Sequence, residues 1–226
     1  MDKRSVAIII AAYNEARRIG PVIKDVKKHG WSNVIVVDDG SKDDTSDVAR
    51  KAGATVLRHI INRGQGAALR TGIHYALDHG SHAVVTYDAD GQFVASDIEK
   101  IARPVMEARR DVTLGSRFLK TSSAQNITGG KRFVLKLGAF VTYIFSGLKL
   151  SDSHNGFRAF SRKAAKKIRI TFDRMEHASE ITEEIAKHKL SYTEVPVTVI
   201  YHEAGQHPIR SLKMGVKLVA KKVLGW

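Results

Sequence analysis

The sequence predicts an α/β fold in which helices cover both faces of a mostly parallel sheet. Strand and helix patterns alternate through the first 115 residues. The strands are continuous β-branched runs, as expected for strands buried on both faces. Polar residues cluster directly after the strand ends, and open α/β sheets bind ligands in the crevice outside those ends. The pattern therefore predicts a site of nucleotide size at one edge of the sheet.

Each element of this alternating region follows from its own local pattern. The first helix, for example, has apolar residues spaced three and four apart and ends at the stop signal Gly30. The predicted strands are Val6–Ile10, Val34–Val37, Thr55–Leu57, Ala83–Tyr87 and Val112–Gly115. The predicted helices are Ala16–His29, Thr45–Ala52, Ala67–Leu77 and Ala95–Arg109.

The regular alternation ends after Phe118. We find no internal repeat and no linker, so residues 1–226 are predicted to form a single domain. Pro196 favours a position at the edge of a sheet for the strand that contains it. The elements predicted here are a loop at Ala124–Lys131, helices at Arg132–Ser146, Ala178–His188 and Ser211–Leu224, a strand at Asn155–Phe160 and a β segment at Tyr192–Tyr201.

The composition excludes several kinds of site. The 226 residues include no cysteine, which excludes disulfides, iron–sulfur clusters, thiolate zinc sites and cysteine nucleophiles and is consistent with the cytosol. No signal peptide is predicted, because Met1–Arg4 leads only into a short apolar run. The apolar stretch Leu137–Leu148 is well short of the roughly 20 residues that cross a bilayer, so no transmembrane segment is predicted.

The positive charge is concentrated in the second half of the chain. The formal net charge is +14; the first 103 residues hold 15 basic and 13 acidic residues, a net charge of +2, and the remainder holds 22 and 10, a net charge of +12. This region is expected to face nucleic acid, a membrane surface or a phosphorylated substrate, unless it is only a solvated basic surface. Nucleic acid is disfavoured, because no known binding module is visible and acidic strand ends would repel phosphate.

Asp88 and Asp90 follow the fourth predicted strand as an Asp-x-Asp pair. Two carboxylates so placed can bind a hard divalent cation, and Gln92 could supply a further oxygen ligand. Such a metal would bridge a diphosphate and neutralise the charge on a leaving group. The alternative for the pair alone is a solvated turn.

Two further motifs are ambiguous by themselves. Asp38 and Asp39 could contact a base or ribose hydroxyls, or could cap the following helix. The segment Asn62–Gly66 lacks the glycine spacing of a P-loop or a dinucleotide fingerprint. Glycines before a helix nevertheless allow the backbone to approach a phosphate.

Taken together, the motifs resemble the inverting glycosyltransferases of the large family 2, which have the GT-A fold. The resemblance covers residues 5–160 in order and spacing, and it rests on the segments 11–15 (Ala-Ala-Tyr-Asn-Glu), 36–45, 62–67, 88–92 (Asp-Ala-Asp-Gly-Gln) and 115–117 (Gly-Ser-Arg). Segment 152–158 is similar to a motif of the branch with dolichol-phosphate mannose synthases and bacterial polyprenyl-phosphate glycosyltransferases. The sequence departs from the family at Ala11, where proline is common, and at Asn155.

The resemblance implies a role for each matching residue. It implies a nucleotide-sugar half at residues 1–118, with a UDP- or GDP-linked donor, and an acceptor half at residues 119–226. The residues implied for the nucleotide sugar are Ala11, Tyr13, Glu15, Asp38, Asp39, Gly66, Asp88 and Ala89. Those implied for Mg²⁺ or Mn²⁺ are Asp88, Asp90 and Gln92, and those for catalysis are Asp90 and Arg117. Glu180 is a further catalytic candidate, because of its place on a predicted helix rather than because of the resemblance.

The chemistry of the acceptor leaves two possibilities open. A sugar hydroxyl has a high pKa and would require a general base, for which Glu176 and Glu180 are the candidates. A polyprenyl phosphate is already anionic and requires positive charge instead, which suits the net +12 of the second half. The candidates for holding the acceptor phosphate are Arg117, Arg132, Arg158 and Lys213, and Lys131 and Arg210 are further residues to test.

The last predicted helix is amphipathic and basic. Leu212 and Val216 lie on one face, and Lys213 and Lys217 lie on another. Such a helix either lies on an anionic membrane surface or packs on its own domain with the lysines outward. The sequence therefore favours a cytoplasmic, peripheral membrane location, with an integral-membrane partner as a possible anchor. A basic nucleic-acid-binding protein and a catalytically inactive relative are the competing hypotheses.

Overall fold

The structure is a computed structural model that describes residues 2–119, 124–125, 147–153 and 155–200. Its strands are β1 (Val6–Ala12), β2 (Val34–Asp38), β3 (Thr55–Arg58), β4 (Ala83–Asp88), β5 (Val112–Ser116), β6 (Ala124–Gln125), β7 (Arg158–Ser161), β8 (Tyr192–Pro196) and β9 (Val199–Ile200). Its α-helices are α1 (Ala16–Lys28), α2 (Thr45–Lys51), α3 (Gln65–Asp78), α4 (Ile98–Met106), α5 (Arg162–Lys167) and α6 (His177–Lys187).

Seven strands form one sheet in the order β3-β2-β1-β4-β7-β5-β8. Neighbouring strands are parallel except at β7, which runs antiparallel to both β4 and β5. The short strands β6 and β9 pair separately. The predicted α/β class with a mostly parallel sheet is confirmed.

The core forms two apolar layers, one on each face of the sheet. Alternate residues of β1 point to opposite faces, as the period of two in a strand requires. Ile8 and Ile10 pack with apolar residues of α1 and α4, whereas Ile9 packs with α3 and α6. All three isoleucines are fully buried, which explains why β1 is a continuous apolar run.

The predicted elements up to residue 94 and the strand at 112–115 are confirmed with ends within two residues of the observed ones. The predicted helix Ala95–Arg109 is wrong in extent. A 3₁₀ turn at Ala95–Asp97 precedes α4, which ends at Met106. Ala108 has a φ of 54°, a left-handed conformation that stops a helix.

The second half differs more from the predictions. Residues Ala124 and Gln125, predicted to lie in a loop, form β6 beside β9. The predicted strand Asn155–Phe160 begins three residues later, as β7. The helix α5 follows it and was not predicted, because its six residues are too few for an apolar periodicity. Ser161 caps this helix by accepting a hydrogen bond from the backbone N–H of Ala164 at 3.1 Å.

The predicted segment Tyr192–Tyr201 is divided between two sheets. Pro196 ends β8 at the edge of the main sheet, as predicted. The backbone N–H of Thr198 then donates to Asp97 at 2.7 Å, and the chain continues into β9. The predicted helices Arg132–Ser146 and Ser211–Leu224 lie outside the described residues. Within the described ranges, no helix is both long enough and apolar enough to cross a bilayer.

Candidate active site

The polar residues that follow β1, β2, β4 and β5 meet at one edge of the main sheet. These four strands are parallel, so their carboxyl ends share that edge. Because β7 is antiparallel, its beginning lies there too, with Arg158 opposite Thr86. The segment before β7 is thereby brought beside the end of β4, and Thr86 donates a hydrogen bond to the carbonyl of Gly156 at 2.6 Å.

A cavity of about 410 Å³ opens at this edge. Its volume lies within the usual range for a small-molecule site. It is lined by Ala11, Ala12, Tyr13, Glu15, Asp39, Asn62, Gly64, Gln65, Ala68, Asp88, Ala89, Asp90 and Met175. The structure therefore brings together residues from four separate motifs of the sequence.

Asp88 and Asp90 form the acidic part of the cavity. Burial, and after it the charge of Asp90, raises the pKa of Asp88 to about 7. Gln65 donates to Asp88 at 3.1 Å, and the backbone N–H of Gln92 donates to Asp90 at 2.9 Å. Two carboxylates that repel each other at the end of a buried strand favour the presence of a cation.

A cluster of buried aromatic side chains packs against the acidic loop on the side of the core. Tyr87 lies edge-on to Phe93 and Phe157, and its hydroxyl donates to the carbonyl of Phe93 at 2.6 Å. A Cβ on Gly156 would lie 3.1 Å from an Asp88 carboxylate oxygen, so a larger residue there would crowd that carboxylate. The loop is held against a packed core, which limits the movement of its carboxylates.

The residues at this loop fit a hard divalent cation such as Mg²⁺ or Mn²⁺. Asp88 and Asp90 supply carboxylate oxygens, and Gln92 lies beside them in the same turn. No group of three or more His, Cys, Asp or Glu residues in the described part is arranged to hold a metal. Mg²⁺ commonly takes only one or two carboxylates and fills its shell with substrate phosphates and water, so the donor set suits a metal that binds with a diphosphate.

Asp39 anchors the loop that forms one side of the cavity. Its carboxylate accepts hydrogen bonds from His59 Nδ1 at 2.7 Å and from the backbone N–H groups of Arg63 at 3.0 Å and Gly64 at 2.6 Å. The other ring nitrogen of His59 lies 2.9 Å from the hydroxyl of Thr71. Asp39 therefore lines the cavity while fixing the loop before α3.

The neighbouring Asp38 is fully buried and does not line the cavity. Its carboxylate accepts hydrogen bonds from the backbone N–H of Ser41 at 2.9 Å and from the hydroxyl of Ser46. The predicted nucleotide contact of Asp38 does not fit this position. Its role in the structure is to close the turn between β2 and α2.

The glycines of the loop 62–66 allow a close approach, but to another chain segment rather than to a phosphate. A Cβ on Gly66 would lie 2.1 Å from the carbonyl oxygen of Phe172, and one on Gly64 would lie 2.3 Å from that of Asp173. The backbone N–H of Ala67 donates to the same Asp173 carbonyl at 3.1 Å. The segment 170–176 thus forms a wall of the site, and Met175 from this wall lines the cavity.

Glu180 stabilises this wall. Its carboxylate accepts hydrogen bonds from the backbone N–H groups of Thr171 at 2.9 Å and Phe172 at 3.1 Å, and also from the hydroxyl of Thr171. Neither Glu180 nor Glu176 lines the cavity. A role for Glu180 in removing a proton stays a prediction, since the structure shows its carboxylate engaged with the wall.

Arg117 forms a buried bidentate ion pair with Asp152. The two nitrogen–oxygen distances are both 2.6 Å, and the Arg117 and Asp152 side chains are 10% and 1% exposed. Glu194 holds the segment before Asp152 by accepting from the backbone N–H of Ser151 at 2.9 Å. The charge of Arg117 lowers the pKa of Asp88 and so acts at the same site.

Arg158 lies behind the site rather than on an acceptor surface. It is 3% exposed, and it donates to the backbone carbonyls of Asn155 at 2.8 Å and Ser153 at 3.2 Å. Burial lowers its pKa to about 10, and its charge in turn lowers the pKa of Asp88. The predicted contact between Arg158 and an acceptor phosphate does not fit this burial.

The sequence was compared with models of known protein families. The sequence matches the family described as Glycosyl transferase family 2 over residues 7–169. The chain belongs to glycosyl transferase family 2. The enzyme is therefore a glycosyltransferase, and the predicted family is confirmed.

Two similar sequences match this glycosyltransferase along nearly its whole length. An uncharacterised protein of Methanocaldococcus jannaschii is 40% identical over 229 residues, covering 99% of this chain and 94% of the relative. The UDP-N-acetylglucosamine–dolichyl-phosphate N-acetylglucosaminyltransferase of Methanococcus voltae is 32% identical over 238 residues, covering 96% and 94%.

The fold of this glycosyltransferase matches solved structures. Glucosyl-3-phosphoglycerate synthase from Mycobacterium tuberculosis superimposes with a TM-score of 0.75 at 18% sequence identity, covering 97% of this chain and 79% of the other. At this identity the likeness concerns the fold alone. The predicted GT-A fold of this chain is confirmed.

The described part of the glycosyltransferase holds most of the predicted site residues but not all. Ala11, Tyr13, Glu15 and Ala89 line the cavity with Asp39 and the acidic pair. Among the acceptor candidates, Arg132 and Lys213, with Lys131 and Arg210, lie outside the described residues. Their predicted roles stay predictions.

Several residues of the glycosyltransferase site were not predicted from the sequence. Gln65 contacts Asp88, and His59 contacts Asp39. Gln65 lies in the segment 62–67, which is one of the segments that carry the family resemblance. Asp152 also lies in a marked segment, but its pairing with Arg117 crosses 35 residues of sequence. Glu194 is a single acidic residue in a strand, and no sequence signal distinguishes it.

Proposed function

We propose that this glycosyltransferase transfers a hexose from a UDP- or GDP-linked donor to polyprenyl or dolichyl phosphate at a membrane surface, with Mg²⁺ or Mn²⁺. The observation that carries this proposal is the Asp88–Asp90 pair in the cavity, within electrostatic reach of the buried Arg117–Asp152 pair. Acidic and basic groups so arranged suit a donor diphosphate with its cation and an acceptor phosphate.

Similar proteins support both substrates. The name of the Methanococcus voltae relative gives a UDP-linked donor and a dolichyl-phosphate acceptor. A relative in Mycolicibacterium smegmatis, 27% identical over 209 residues, is named a polyprenol monophosphomannose synthase. The solved Mycobacterium tuberculosis structure contains Mn²⁺ and UDP.

The donor would occupy the cavity between the β1, β2 and β4 ends. Tyr13 and Glu15 would hold the nucleotide with Asp39, and Ala11 and Ala89 provide small walls beside it. Asp88, Asp90 and Gln92 would hold the cation. When bound, the cation would neutralise charge on the diphosphate leaving group.

The acceptor phosphate needs no general base. Its anionic oxygen would form a bond to the anomeric carbon of the sugar while the bond from that carbon to the nucleoside diphosphate breaks. The bonding electrons leave with the diphosphate, and the anomeric configuration inverts. Arg117, held in orientation by Asp152, would reduce the repulsion between the two phosphate groups. The engagement of Glu180 with the wall agrees with a reaction that requires no base.

The remaining parts of the proposal concern the membrane. Arg132 and Lys213 would add positive charge around the acceptor phosphate. The enzyme would act at the cytoplasmic face as a peripheral protein, with an integral-membrane partner as a possible anchor. The charge of +12 in residues 104–226 supports contact with an anionic surface.

A donor screen tests the proposal. The protein is incubated with Mg²⁺ or Mn²⁺, a short polyprenyl phosphate and each common UDP- or GDP-sugar, and released nucleotide is measured. Asp88→Asn and Asp90→Asn should each reduce turnover by at least about 100-fold, because a lost charge-stabilising contact has an effect of this size. Asp47→Asn, an exposed carboxylate in α2, is the matched control.

The outcomes separate the parts of the proposal. Release that needs both metal and lipid phosphate supports the reaction and identifies the sugar. Release without the lipid means hydrolysis and leaves the acceptor open, whereas a rate that the lipid phosphate does not increase contradicts the acceptor assignment. Calorimetry of UDP or GDP binding is a second readout. The metal should increase the affinity of the wild type for the nucleotide, and it should not increase the affinity of either Asn variant.

A further inference from the structure

Four of the five large hydrophobic side chains that are exposed in the described part of the chain lie on two segments that contact each other, and the fifth, Tyr13, lines the candidate active site. Ile60 is 100% exposed, Ile61 69%, Phe172 44% and Met175 46%. Single exposed apolar residues are ordinary, whereas a cluster of them marks a surface that meets a partner or a membrane. We call these four residues the apolar rim.

The rim residues come from two segments that are distant in the sequence but contact each other in the fold. Ile60 and Ile61 lie just before the loop 62–64, and Phe172 and Met175 lie in the wall 170–176. These segments are in contact, since Arg63 pairs with Asp173 at 3.4 Å and the Ala67 N–H donates to the Asp173 carbonyl at 3.1 Å. Met175 also lines the candidate active site. The rim therefore borders the mouth of that cavity.

The backbone that carries Ile60 and Ile61 is fixed on both sides. The His59 N–H donates to the Asp38 carbonyl at 2.9 Å, and the Arg63 N–H donates to the Asp39 carboxylate at 3.0 Å. A Cβ on Gly40 would lie 2.6 Å from the carbonyl carbon of Ile61, so the loop also packs closely on the turn after β2. The two isoleucines are held outward by this packing.

The surroundings of the rim are basic. The Arg58 and Arg63 side chains are each about half exposed, and Arg174 is exposed in the wall. The nearby acids are fewer: Asp173 pairs with both Arg63 and Arg70, Asp38 lies 3.8 Å from Arg58 but is fully buried, and Glu176 is partly buried. Such a surface suits an anionic bilayer. The apolar side chains can enter the interface between headgroups and acyl chains, and the arginines are attracted to the anionic headgroups.

We propose that the apolar rim inserts into the interface of an anionic membrane, with Ile60 and Ile61 at its tip, and so sets the cavity mouth against the bilayer. This inference rests on the proposed function, because a membrane-lipid acceptor gives the contact its purpose. It differs from the predicted membrane contact of Ser211–Leu224, since it assigns a surface formed by the loop before α3 and the segment before α6.

The test uses the full chain and two kinds of vesicle, phosphatidylcholine alone and phosphatidylcholine mixed with phosphatidylglycerol. The double variant Ile60→Asn/Ile61→Asn keeps the net charge and should weaken binding to the mixed vesicles about tenfold or more, because two apolar side chains no longer enter the interface. The matched control is Ser32→Asn/His82→Asn, two exposed positions at the opposite edge of the sheet, which should bind as the wild type does.

A second measurement separates this proposal from the proposed function. Transfer to a short polyprenyl phosphate in detergent-free solution should be unchanged in the isoleucine variant, because no membrane is involved. Loss of vesicle binding in this variant supports the rim even if no sugar transfer is found with any donor. Wild-type vesicle binding by this variant overturns the rim proposal, whether or not transfer occurs.

Two further outcomes would also contradict the proposal that the rim inserts into an anionic membrane. Equal wild-type binding to both kinds of vesicle would refute the electrostatic part of the argument. A wild-type dimer in solution that the isoleucine substitutions convert to a monomer would assign the rim to a second copy of the chain. Circular dichroism verifies that each variant is folded, which full exposure of Ile60 leads us to expect.

Discussion

Asp152→Asn is the substitution that tests most directly how the site is held. Arg117 and Asp152 are joined by two nitrogen–oxygen contacts of 2.6 Å, and the backbone N–H of Arg117 donates to the same carboxylate at 3.1 Å. Asparagine keeps the shape but removes the negative charge, and it can direct an N–H group towards the guanidinium. A buried arginine is then left without its counter-charge.

The magnitude follows from the burial of the pair. Breaking a buried ion pair costs about 3–5 kcal/mol, whereas an exposed pair contributes about 1 kcal/mol or less. A urea dependence of about 3 kcal/mol per molar is at the upper end of the range for small proteins. The urea midpoint of Asp152→Asn should therefore fall by about 1–1.7 M. The usual stability of a wild-type protein is about 5–15 kcal/mol, so the variant remains folded in water over all but the lowest part of that range.

Urea unfolding followed by circular dichroism measures this effect. Asp47→Asn is the matched control, since Asp47 pairs with Arg50 at 2.8 Å and both side chains are more than half exposed. Its midpoint should move by about 0.3 M or less. The reasoning is refuted if Asp152→Asn moves the midpoint no further than Asp47→Asn does. If Arg117 binds the acceptor phosphate, the Asp152 variant should also have a raised KM for that acceptor.

Three more predictions concern the wall of the site and residues of the helices beside it. Gly66→Ala should lower the unfolding temperature more than Gly80→Ala, because a Cβ at residue 66 would lie 2.1 Å from the Phe172 oxygen, whereas a Cβ at Gly80 meets no atom and adds only the left-handed strain of its φ of 82°, about 1–2 kcal/mol. Thermal unfolding compares the two variants, and a shift for Gly66→Ala no larger than that for Gly80→Ala would contradict the clash. Glu180→Gln should weaken the wall while leaving the pH profile of kcat unchanged, and a lost ionisation in that profile would identify Glu180 as a base. Burial lowers the pKa of His177 to about 4. When the pH falls from 6.5 to 4, the His177→Gln variant should therefore lose less stability than the wild type.

The sign of the His177 effect follows from proton binding. The unfolded state, with a pKa near 6.5, binds the proton at a higher pH than the folded state does. This contribution to stability is therefore fully present above about pH 6.5 and is lost as the pH falls towards 4, with a slope of at most about 1.4 kcal/mol per pH unit. Urea midpoints measured across this range compare the two proteins, and parallel pH dependences would contradict the assignment.

Local patterns determined the first half of the fold. Short, continuous β-branched runs such as Val34–Val37 are typical of strands buried on both faces, and the helical patterns between them predict parallel strands joined by helices. The predicted helix at residues 95–109 was too long because Ala108 adopts a left-handed conformation that its side chain does not signal. The six-residue helix α5 was missed because it is stabilised by a cap and by its neighbours rather than by a periodic apolar face.

The sequence by itself also determined the family and the position of the acidic pair, because motif order and strand-end placement are properties of the chain. Only the tertiary structure decided what neighbouring residues do. Asp38 and Asp39 are adjacent in sequence, yet one is sealed in a turn and the other lines the cavity, because successive residues at a strand end point in different directions. Arg158 lies close enough to Asp88 to lower its pKa, because β7 runs antiparallel beside β4 and begins at the end of that strand. The partner of Arg117 lies 35 residues away, and such pairings depend on how strands are placed in the sheet, which no local pattern encodes.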